Sequence, residues 1–383
     1  MKRYLKRFMT VFLILALAAG TVAPVGAQAI QFEMLAPVTT TVTVSQLDVA
    51  GPDPSDTLDY LTDMDAVVEA VRQAMVNRVA TISVPFTTKQ YSENIMQDVF
   101  NAAIAHTGEP TQGDYLYWQM GQYSLGMGGY SYGDTYYLTL YIEIQYYTTA
   151  QQEAQMDVAV KAVLDELDVY DATDYEKVCA IYDYICNHVT YDYDGLEAQQ
   201  SKMIYTAYAA LINGKSVCQG YANLFYRLAL ELDVDARIVA GIGNGGAHGW
   251  NIVKLGGKYY NVDATWDASR AQLDMEYDYF LCCNDNFVDH TRDLEYLTPV
   301  FESQYPMASE DYTPTTGTVP GDIDGNGEVT TDDVVALLLH VSMPDLFPVG
   351  VPADFTGDSV VTTDDVIQLL LHVSMPDIFP LAA

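Results

Sequence analysis

Basic residues are scarce in this sequence. Its 383 residues include 17 lysines and arginines against 52 aspartates and glutamates, a formal net charge of −35. Such an acidic chain repels the phosphates of DNA and RNA, so we expect no nucleic-acid partner. The same excess of carboxylates favours solubility and cationic ligands, of which calcium is the first candidate.

Cysteine is also rare, with five residues at positions 179, 186, 218, 282 and 283. Their spacing matches no zinc site, and their odd number means that at least one is free or bonds between chains in an oxidising compartment. Cys179 and Cys186 lie two turns apart on a predicted helix, and we expect Cys282 and Cys283 to be buried in a strand. Only Cys218 has a chemical context.

Long apolar runs are confined to the first 29 residues. Four basic residues precede "FMTVFLILALAAG", and small residues then suit cleavage after Ala27 or Ala29. The apolar run is shorter than the ~20 residues of a membrane-spanning helix. We therefore predict a signal peptide at 1–29, a secreted or extracellular protein, and no membrane span after cleavage. Without the leader, 13 basic residues remain against 52 acidic ones, a net charge of −39.

Hydrophobic periodicity predicts an α+β fold in the remaining chain. Residues 30–60 read as irregular. Helices are expected at 61–77, 92–106, 150–168 and 173–189, and strands at 80–86, 236–243 and 248–266. The segment 115–147 holds ten tyrosines and reads as a hairpin or meander. Those tyrosines could stack on sugars, but cross-strand aromatic pairing is the commoner cause.

Cys218 lies in "NGKSVCQGYANLF", residues 213–225, ahead of an amphipathic helix. Ser216 and Gln219 have the spacing of a capping box, which would put Cys218 in the first turn. There the helix dipole favours a thiolate, as a nucleophile requires. The alternative is a cysteine that only packs in the core.

His248 and Asp263 are predicted to meet across a hairpin. Gly256 and Gly257 mark its turn, so Leu255 should pair with Lys258, which leaves Asp263 diagonal to His248 on the same face. A carboxylate, an imidazole and a thiol form the pattern of a nucleophilic triad. The alternatives are a core histidine and a turn aspartate. "GIGNGG" at 241–246 fits a dinucleotide-binding pattern, but a strand follows it, so a loop beside His248 is expected.

The segments "SVCQGYANLF", "HGWNIVKLGGKYYNVDATWD" and "YEKVCAIYDYICNHVTYDY" resemble the core of the transglutaminase-like superfamily over roughly residues 173–270. The resemblance implies a papain-like α+β core at 173–310, with the cysteine helix packed on an antiparallel sheet, preceded by a tyrosine-rich region at 30–172. It implies that Cys218 is the nucleophile, His248 the base and Asp263 its orienter, with no cofactor for catalysis. The substrate cleft candidates are Gln219, Trp250 and Trp266.

The C-terminal segment 321–383 follows a Thr/Pro linker at 311–320 and contains a repeat with a period of 32 residues. "VTTDDVVALLLHVSMPDLFP" and "VTTDDVIQLLLHVSMPDIFP" agree at 17 of 20 positions. Each copy follows an acidic loop with the spacing of a calcium site. The predicted ligands are Asp322, Asp324, Asn326, Glu328 and Asp333 in the first loop, and Asp354, Thr356, Asp358, Val360 and Asp365 in the second. Ser359 replaces the usual glycine, so the second site should be weaker.

The two repeats resemble a dockerin module, a small all-α calcium-binding domain that binds the cohesin domain of a scaffold protein. Their helices are apolar nearly all round, which predicts an exposed apolar face. The expected cohesin contacts are Thr331, Asp332, Leu338, Leu339, Thr363, Asp364, Leu370 and Leu371. Because the copies are nearly identical, either could dock after a half-turn rotation.

With the predicted leader and triad, the two resemblances imply a secreted cysteine enzyme that attacks peptide or glutaminyl amides and is held in a cellulosome-like complex at the bacterial cell surface. Hydrolysis of a peptide or protein substrate is the favoured reaction. A transglutaminase joining glutamine to amines is the nearest alternative. A non-catalytic module binding peptide or cell-wall material, and an accessory role in polysaccharide degradation, also remain open.

Overall fold

The computed structural model describes residues 34, 36–44, 59–198, 201–271, 273, 275–314, 320–323, 329–344, 346–347, 349, 353–357, 360–376 and 378–381. The predicted signal peptide lies outside these residues, as do 315–319 of the linker and the loop residues Asp324, Asn326, Glu328 and Asp358. Within the described part of the chain, no helix has the length and apolar character needed to cross a membrane.

The N-terminal region forms a four-stranded sheet with two main helices. Its elements are β1 (Val38–Val44), α1 (Met64–Val76), β2 (Thr81–Thr88), α2 (Ile95–Ala103), α3 (Asp114–Tyr117), β3 (Met120–Tyr132) and β4 (Thr135–Tyr146). The strand order is β1-β3-β4-β2, antiparallel except that β1 runs parallel to β3. The predicted irregular segment 30–60 therefore contains a strand, because β1 gains its hydrogen bonds from a partner about 80 residues away.

The predicted hairpin at 115–147 is confirmed by β3 and β4. Tyr130 and Tyr137 are partners across the two strands, and their rings stack with centroids 5.1 Å apart. Tyr91 stacks in the same way on Tyr136, at 5.2 Å. Aromatic pairing within the sheet thus accounts for part of the tyrosine content, as the sequence indicated.

The following region places helices on a second antiparallel sheet. The helices are α4 (Ala150–Leu167), α5 (Asp174–His188), α6 (Tyr193–Ala198), α7 (Ala207–Ile212), α8 (Cys218–Glu231), α9 (Ala264–Ala271) and α10 (Pro299–Gln304). The strands are β7 (Ala236–Gly243), β8 (Gly246–Leu255), β9 (Lys258–Val262) and β10 (His290–Arg292), in the order β10-β7-β8-β9. A short parallel pair, β5 (Thr190–Tyr191) and β6 (Lys215–Ser216), precedes α8.

Helix α8 is the centre of this layer. All its residues from Cys218 to Leu230 are buried, and it packs against β7 and β8 on one side and α5 and α7 on the other. Its polar face, formed by Gln219, Asn223 and Arg227, is buried as well, and these side chains hydrogen-bond to neighbouring groups. The arrangement is a mixed α/β structure in which helices pack on an antiparallel sheet.

Two side-chain bridges tie the N-terminal region to this layer. Asp114 accepts two bonds from the Arg237 guanidinium, at 2.7 and 2.9 Å, and one from the N–H of Ile238. Gln119 accepts a bond from the N–H of Ala207. A paired, bidentate guanidinium and carboxylate fix orientation as well as distance. The N-terminal region is thus joined directly to the elements that carry the site.

The cysteines other than Cys218 are buried or half-buried, and all five are free thiols. Cys179 and Cys186 lie on α5, as predicted. Cys282 and Cys283 are buried, but outside the named strands. Cys282 forms one isolated β-bridge with Asn261 of β9. The predicted strand at Cys282 and Cys283 is therefore wrong, although the predicted burial is confirmed.

The C-terminal repeats form two helices, α11 (Thr331–Ser342) and α12 (Thr363–Ser374), which contact each other. Both begin with a capping box, Thr330 with Asp333 and Thr362 with Asp365. They share a small core made of Ile323, Val334, Leu337, Ala353, Val366 and Leu369. Equivalent residues of the two repeats occupy equivalent places in this core.

Candidate active site

Cys218 is the first residue of α8, and its side chain is buried. The predicted capping box does not form, because Val217 is the N-cap and the Ser216 hydroxyl donates to the carbonyl of Ile204 at 2.7 Å. Ser216 also belongs to β6, which fixes its backbone in a strand pairing. The N–H of Cys218 still belongs to the first turn, where N–H groups have no acceptor within the helix.

The hairpin of β8 and β9 has the predicted register. Leu255 pairs with Lys258, and Asn251 pairs with Val262. The imidazole of His248 therefore reaches the carboxylate beyond the end of β9, and its Nε2 lies 2.7 Å from Asp263 Oδ2. Both side chains are almost completely buried.

The thiol of Cys218 interacts with this same imidazole. Burial disfavours the charged ring of His248, but the Asp263 carboxylate and the hydrogen bonds to Asp263 and Cys218 outweigh burial and raise the pKa of His248 to about 10. A pKa raised in the folded state stabilises the fold fully below about 6.5, and this contribution is lost as the pH rises through about 10. At neutral pH the triad therefore holds a charged imidazole.

Asp263 performs two tasks with its two oxygens. Oδ2 contacts His248, whereas Oδ1 accepts the N–H groups of Thr265 at 2.9 Å and Trp266 at 3.4 Å at the start of α9. Asp263 is thus both a turn residue and a partner of His248, which the sequence analysis treated as alternatives. Burial acts to raise the pKa of Asp263, but the charges and hydrogen bonds of His248 and His290 outweigh it and hold the pKa well below its usual range.

His290 is a site residue that the sequence analysis did not identify. It comes from β10, and its Nε2 lies 3.2 Å from the same Asp263 Oδ2. Its ring stacks on Phe287, with centroids 3.9 Å apart, and packs at a tilt against Trp266, with centroids 4.2 Å apart. No spacing rule places it there, because 27 residues and several turns separate it from Asp263. The one available signal was its rarity as one of six histidines.

The segment "GIGNGG" forms the tight turn of the β7–β8 hairpin. Asn244 and Gly245 are its two central residues, with φ of 52° and 85°. Gly243 lies against the imidazole of His248, since a Cβ there would be 2.8 Å from His248 Cδ2. The glycines therefore allow the hairpin to pack closely on His248. This agrees with the expected loop beside His248 and not with a dinucleotide-binding site.

An open cleft of about 490 Å³ lies beside the triad. Trp266 lines it and stacks on His248 at 5.1 Å, while Tyr191 lines it and interacts electrostatically with Cys218. The remaining lining residues are Thr190, Tyr193, Tyr221, Asn244, Thr265, Ala268, Ser269, Arg270 and Tyr279. A cleft of this size and aromatic character is typical of a site for a peptide or small molecule.

Two of the three residues predicted to line the substrate cleft do not line it. Gln219 is fully buried, and its amide donates to the carbonyl of Trp118, so it joins α8 to the N-terminal region and does not face the cleft. Trp250 is buried beside His248 and donates through Nε1 to Asn261 at 3.2 Å. It borders a different cavity, next to His290. Only Trp266 lines the cleft beside the triad.

His248, Asp263 and His290 also form a group that could hold a metal ion, with their ligand atoms all within 4.8 Å of one another. Imidazole and carboxylate suit a transition metal such as zinc. The same atoms already hydrogen-bond to one another, so a metal would compete with the arrangement of the triad. In the described part of the chain this is the one such group.

In the C-terminal loops, the last predicted ligand of each copy points back into its loop. Asp333 Oδ1 accepts the N–H of Ile323 at 2.7 Å, and Asp365 Oδ1 accepts those of Phe355 and Thr356 at 2.8 and 2.9 Å. Despite the opposing effect of burial, these backbone bonds lower the pKa of Asp365. The other predicted ligands that are described are Asp322, Asp354, Thr356 and Val360.

The predicted cohesin contacts form two equivalent sets on α11 and α12. Six of the side chains are exposed and two are half-buried. The exposed ones are Thr331, Asp332, Leu338, Thr363, Asp364 and Leu370, and the half-buried ones are Leu339 and Leu371. Val335 and Ile367, which are also more than half exposed, extend the apolar surface of each helix.

Comparison with curated proteins gives one partial relative in two species. The kyphoscoliosis peptidase of Homo sapiens is 33% identical over 126 residues, and that of Mus musculus is 32% identical over 126 residues. In each case the match covers 28% of this chain and 19% of the relative. The similarity is thus confined to a minor part of either protein.

Two solved structures resemble parts of the chain. One is described as a TGase, with 15% identity, a TM-score of 0.29 and coverage of 56% of this chain and 64% of that one. The other is a candidate cysteine protease from Cytophaga hutchinsonii, with 20% identity, a TM-score of 0.24 and coverage of 37% and 62%. The model of the transglutaminase-like superfamily matches residues 161–264, which include Cys218, His248 and Asp263. The chain therefore contains a transglutaminase-like superfamily domain.

Proposed function

We propose that this protein is a secreted cysteine-dependent enzyme that hydrolyses peptide or amide bonds through an acyl-enzyme on Cys218. The observation that carries the proposal is the contact of a thiol at a helix N-terminus with an imidazole that lies 2.7 Å from a buried carboxylate. A peptidase name on the curated relative supports hydrolysis over other acyl transfers.

In this mechanism the Cys218 sulfur attacks the carbonyl carbon of the substrate, and His248 holds the thiol proton. Because Nε2 of His248 is bonded to Asp263, Nδ1 is the ring nitrogen left to exchange a proton with the thiol. The imidazolium then protonates the leaving amine, and a thioester remains on Cys218. The N–H of Cys218 is placed to bind the developing oxyanion at the helix N-terminus.

Water attacking the thioester completes hydrolysis, whereas an amine would complete a transglutaminase reaction. Both share the first half of the mechanism, so one experiment separates them. An unfolded protein substrate is incubated with the enzyme and a tagged primary amine, then analysed by mass spectrometry, with Cys218→Ala as the control. New peptide termini that depend on Cys218 support the peptidase, and tagged glutamines without cleavage identify a transglutaminase.

Absence of both products would favour the rival function, a non-catalytic module that binds peptide or cell-wall material in the cleft beside the triad. Trp266 and the tyrosines of that cleft provide aromatic surfaces for such binding. Polysaccharide degradation would then be the work of partner enzymes in the same complex.

We further propose that the C-terminal repeats bind calcium and dock the enzyme on a cohesin domain of a scaffold protein. The proposal rests on the resemblance of the repeats to dockerins, and it is supported by the inward carboxylates of Asp333 and Asp365 and the exposed leucines at 338 and 370. Titration with calcium, and binding to cohesin domains with and without a chelator, test it directly.

A further inference from the structure

A second cavity is lined by His290, the neighbour of Asp263. Its volume is about 380 Å³, within the roughly 300–1,000 Å³ of small-molecule sites. Aromatic and aliphatic side chains form much of its wall. These are Trp250, Phe287, Leu297, Tyr305 and Met307. The other lining side chains are polar, and two of them carry opposite charges. They are Asn261, Asn284, His290, Thr291, Arg292 and Glu302.

Arg292 provides the positive group, and it is unusual among the arginines of this chain. Of the six arginines that the structure describes, five form ion pairs with carboxylates, namely Arg72, Arg78, Arg227, Arg237 and Arg270. Arg292 instead donates three bonds, all from Nη2, to Asn261, Asn284 and the sulfur of Met307. In a chain with 52 acidic residues, a half-buried guanidinium bonded only to neutral groups indicates a place for an outside anion.

The electrostatics of Arg292 agree with this geometry. Burial lowers the pKa of Arg292 to about 10, and the only charge that opposes burial is that of Glu302. A buried cation costs free energy until an anion pairs with it. A carboxylate entering the cavity would provide that charge, in the bidentate geometry that guanidinium favours.

His290 lines the same cavity as Arg292 and is also polar. Its Nε2 is engaged with Asp263, but its Nδ1 is buried and has no hydrogen-bond partner within the described residues. Glu302 is exposed and also lines the cavity, and its charge acts on Arg292 without an ion pair between the two described side chains. The cavity therefore combines a cationic group, an anionic group and several apolar side chains.

We propose that this cavity binds a zwitterionic amino acid with an apolar side chain, its carboxylate on Arg292, its ammonium toward Glu302, and its side chain between Phe287 and Tyr305. The site is separate from the cleft beside Cys218 and does not depend on the proposed reaction. His290 lines the cavity and also contacts Asp263.

Calorimetric titration of the full chain with three probes tests the proposal: L-phenylalanine, 3-phenylpropionate, which lacks the ammonium, and phenethylamine, which lacks the carboxylate. We expect phenylalanine to bind most tightly and phenethylamine not to bind. Arg292→Met should weaken phenylalanine binding by at least about tenfold. Arg72→Met, which removes an ion-paired arginine on α1, should leave binding unchanged.

Glu302→Gln is the second variant, because it alters an exposed side chain and does not endanger folding. It should weaken phenylalanine binding by about threefold and leave 3-phenylpropionate binding unchanged. Cys218→Ala should bind all probes as the wild type does, which keeps this test independent of catalysis. Equal phenylalanine affinity in wild type, Arg292→Met and Glu302→Gln, or no binding by the wild type at about 20 mM, far above common ligand affinities, overturns the proposal.

Discussion

His290 Nε2 lies 3.2 Å from Asp263 Oδ2, the same oxygen that His248 contacts. Two imidazoles from different strands thus hold one buried carboxylate, and the sequence separation of 27 residues concealed the second. Among the described residues, His290 hydrogen-bonds to Asp263 and has no hydrogen bond or ring contact with Cys218. Its effect on catalysis must therefore pass through the charge and position of Asp263, which makes it a positioning residue.

Replacing His290 with phenylalanine keeps a ring against Phe287 and Trp266 but removes the bond to Asp263. The hydrogen bond lowers the pKa of Asp263, so its loss raises that pKa. Asp263 must be ionised to hold His248, and the acid limb of the activity profile should move to higher pH, with kcat about tenfold lower, or ~1.4 kcal/mol. An unchanged acid limb with only a lower melting temperature would show that His290 is merely structural.

Alkylation of Cys218 reports the triad without any known substrate. Because His248 interacts with the thiol, iodoacetamide should label Cys218 at pH about 6 at least tenfold faster in the wild type than in His248→Ala. His188→Ala, which changes an exposed histidine at the end of α5, serves as the matched control. Mass spectrometry of the labelled peptide gives the rates, and equal rates in wild type and His248→Ala would disprove the triad.

Gly243 lies on β7, next to the strand that carries His248. Gly243→Ala should therefore displace the imidazole of His248. The new Cβ would lie 2.8 Å from His248 Cδ2, so the ring must shift. A displacement of a few tenths of an ångström in a nucleophilic site should lower kcat by about tenfold or more. Gly128→Ala is the control, since its Cβ would meet nothing nearer than a Tyr141 carbon at 3.9 Å. Equal activity of the two variants would contradict this prediction.

Calcium binding should differ between the two C-terminal loops. Calorimetry on the chelator-treated full chain should detect two sites, the tighter one lost in Asp333→Asn and the weaker one lost in Asp365→Asn. Asparagine keeps an acceptor for the loop N–H groups but removes the charge, which should weaken each site by at least about tenfold. Asp332→Asn changes an exposed neighbour and should keep both sites. Two intact sites in Asp333→Asn would refute the ligand assignment.

Docking should survive the loss of either repeat surface but not of both. Leu338→Asp and Leu370→Asp change equivalent exposed positions on α11 and α12. Against the cohesin domain that binds the wild type best, each single variant should lose about twofold, and the double variant more than about 100-fold. Val158→Asp, an exposed apolar position on α4, is the control. A single variant that abolishes binding would show that only one repeat docks.

Local spacing predicted the parts of the site that lie within one hairpin. The Gly256-Gly257 turn sets the pairing of Leu255 with Lys258, and alternation along two strands then carries the register to His248 and Asp263. No long-range information is needed for this step, because the turn and the strand period determine it. The helices α4 and α5 were found for a similar reason, since their capping boxes and apolar stripes are local signals.

Predictions failed where a distant part of the chain competes for the same groups. Ser216 and Gln219 have capping-box spacing, yet the carbonyls of Ile204 and Trp118 take their side chains. Strand β1 was missed because its partner β3 is far along the chain. In each case the hydrogen bond that decides the outcome joins residues far apart in the sequence. The spacing of residues within one segment does not predict such a bond.

The sequence by itself determined the hairpin register, the helix that begins near Cys218, the tyrosine pairing and the duplicated helices with their loop carboxylates, because turns, caps and periodicity act over a few residues. Only the tertiary structure decided that Asp263 both caps α9 and holds His248, that His290 joins it, and that Arg292 lies in a cavity without a carboxylate partner. Those outcomes depend on which strands become neighbours and on which charged groups are buried. Both are determined by the packing of the whole chain.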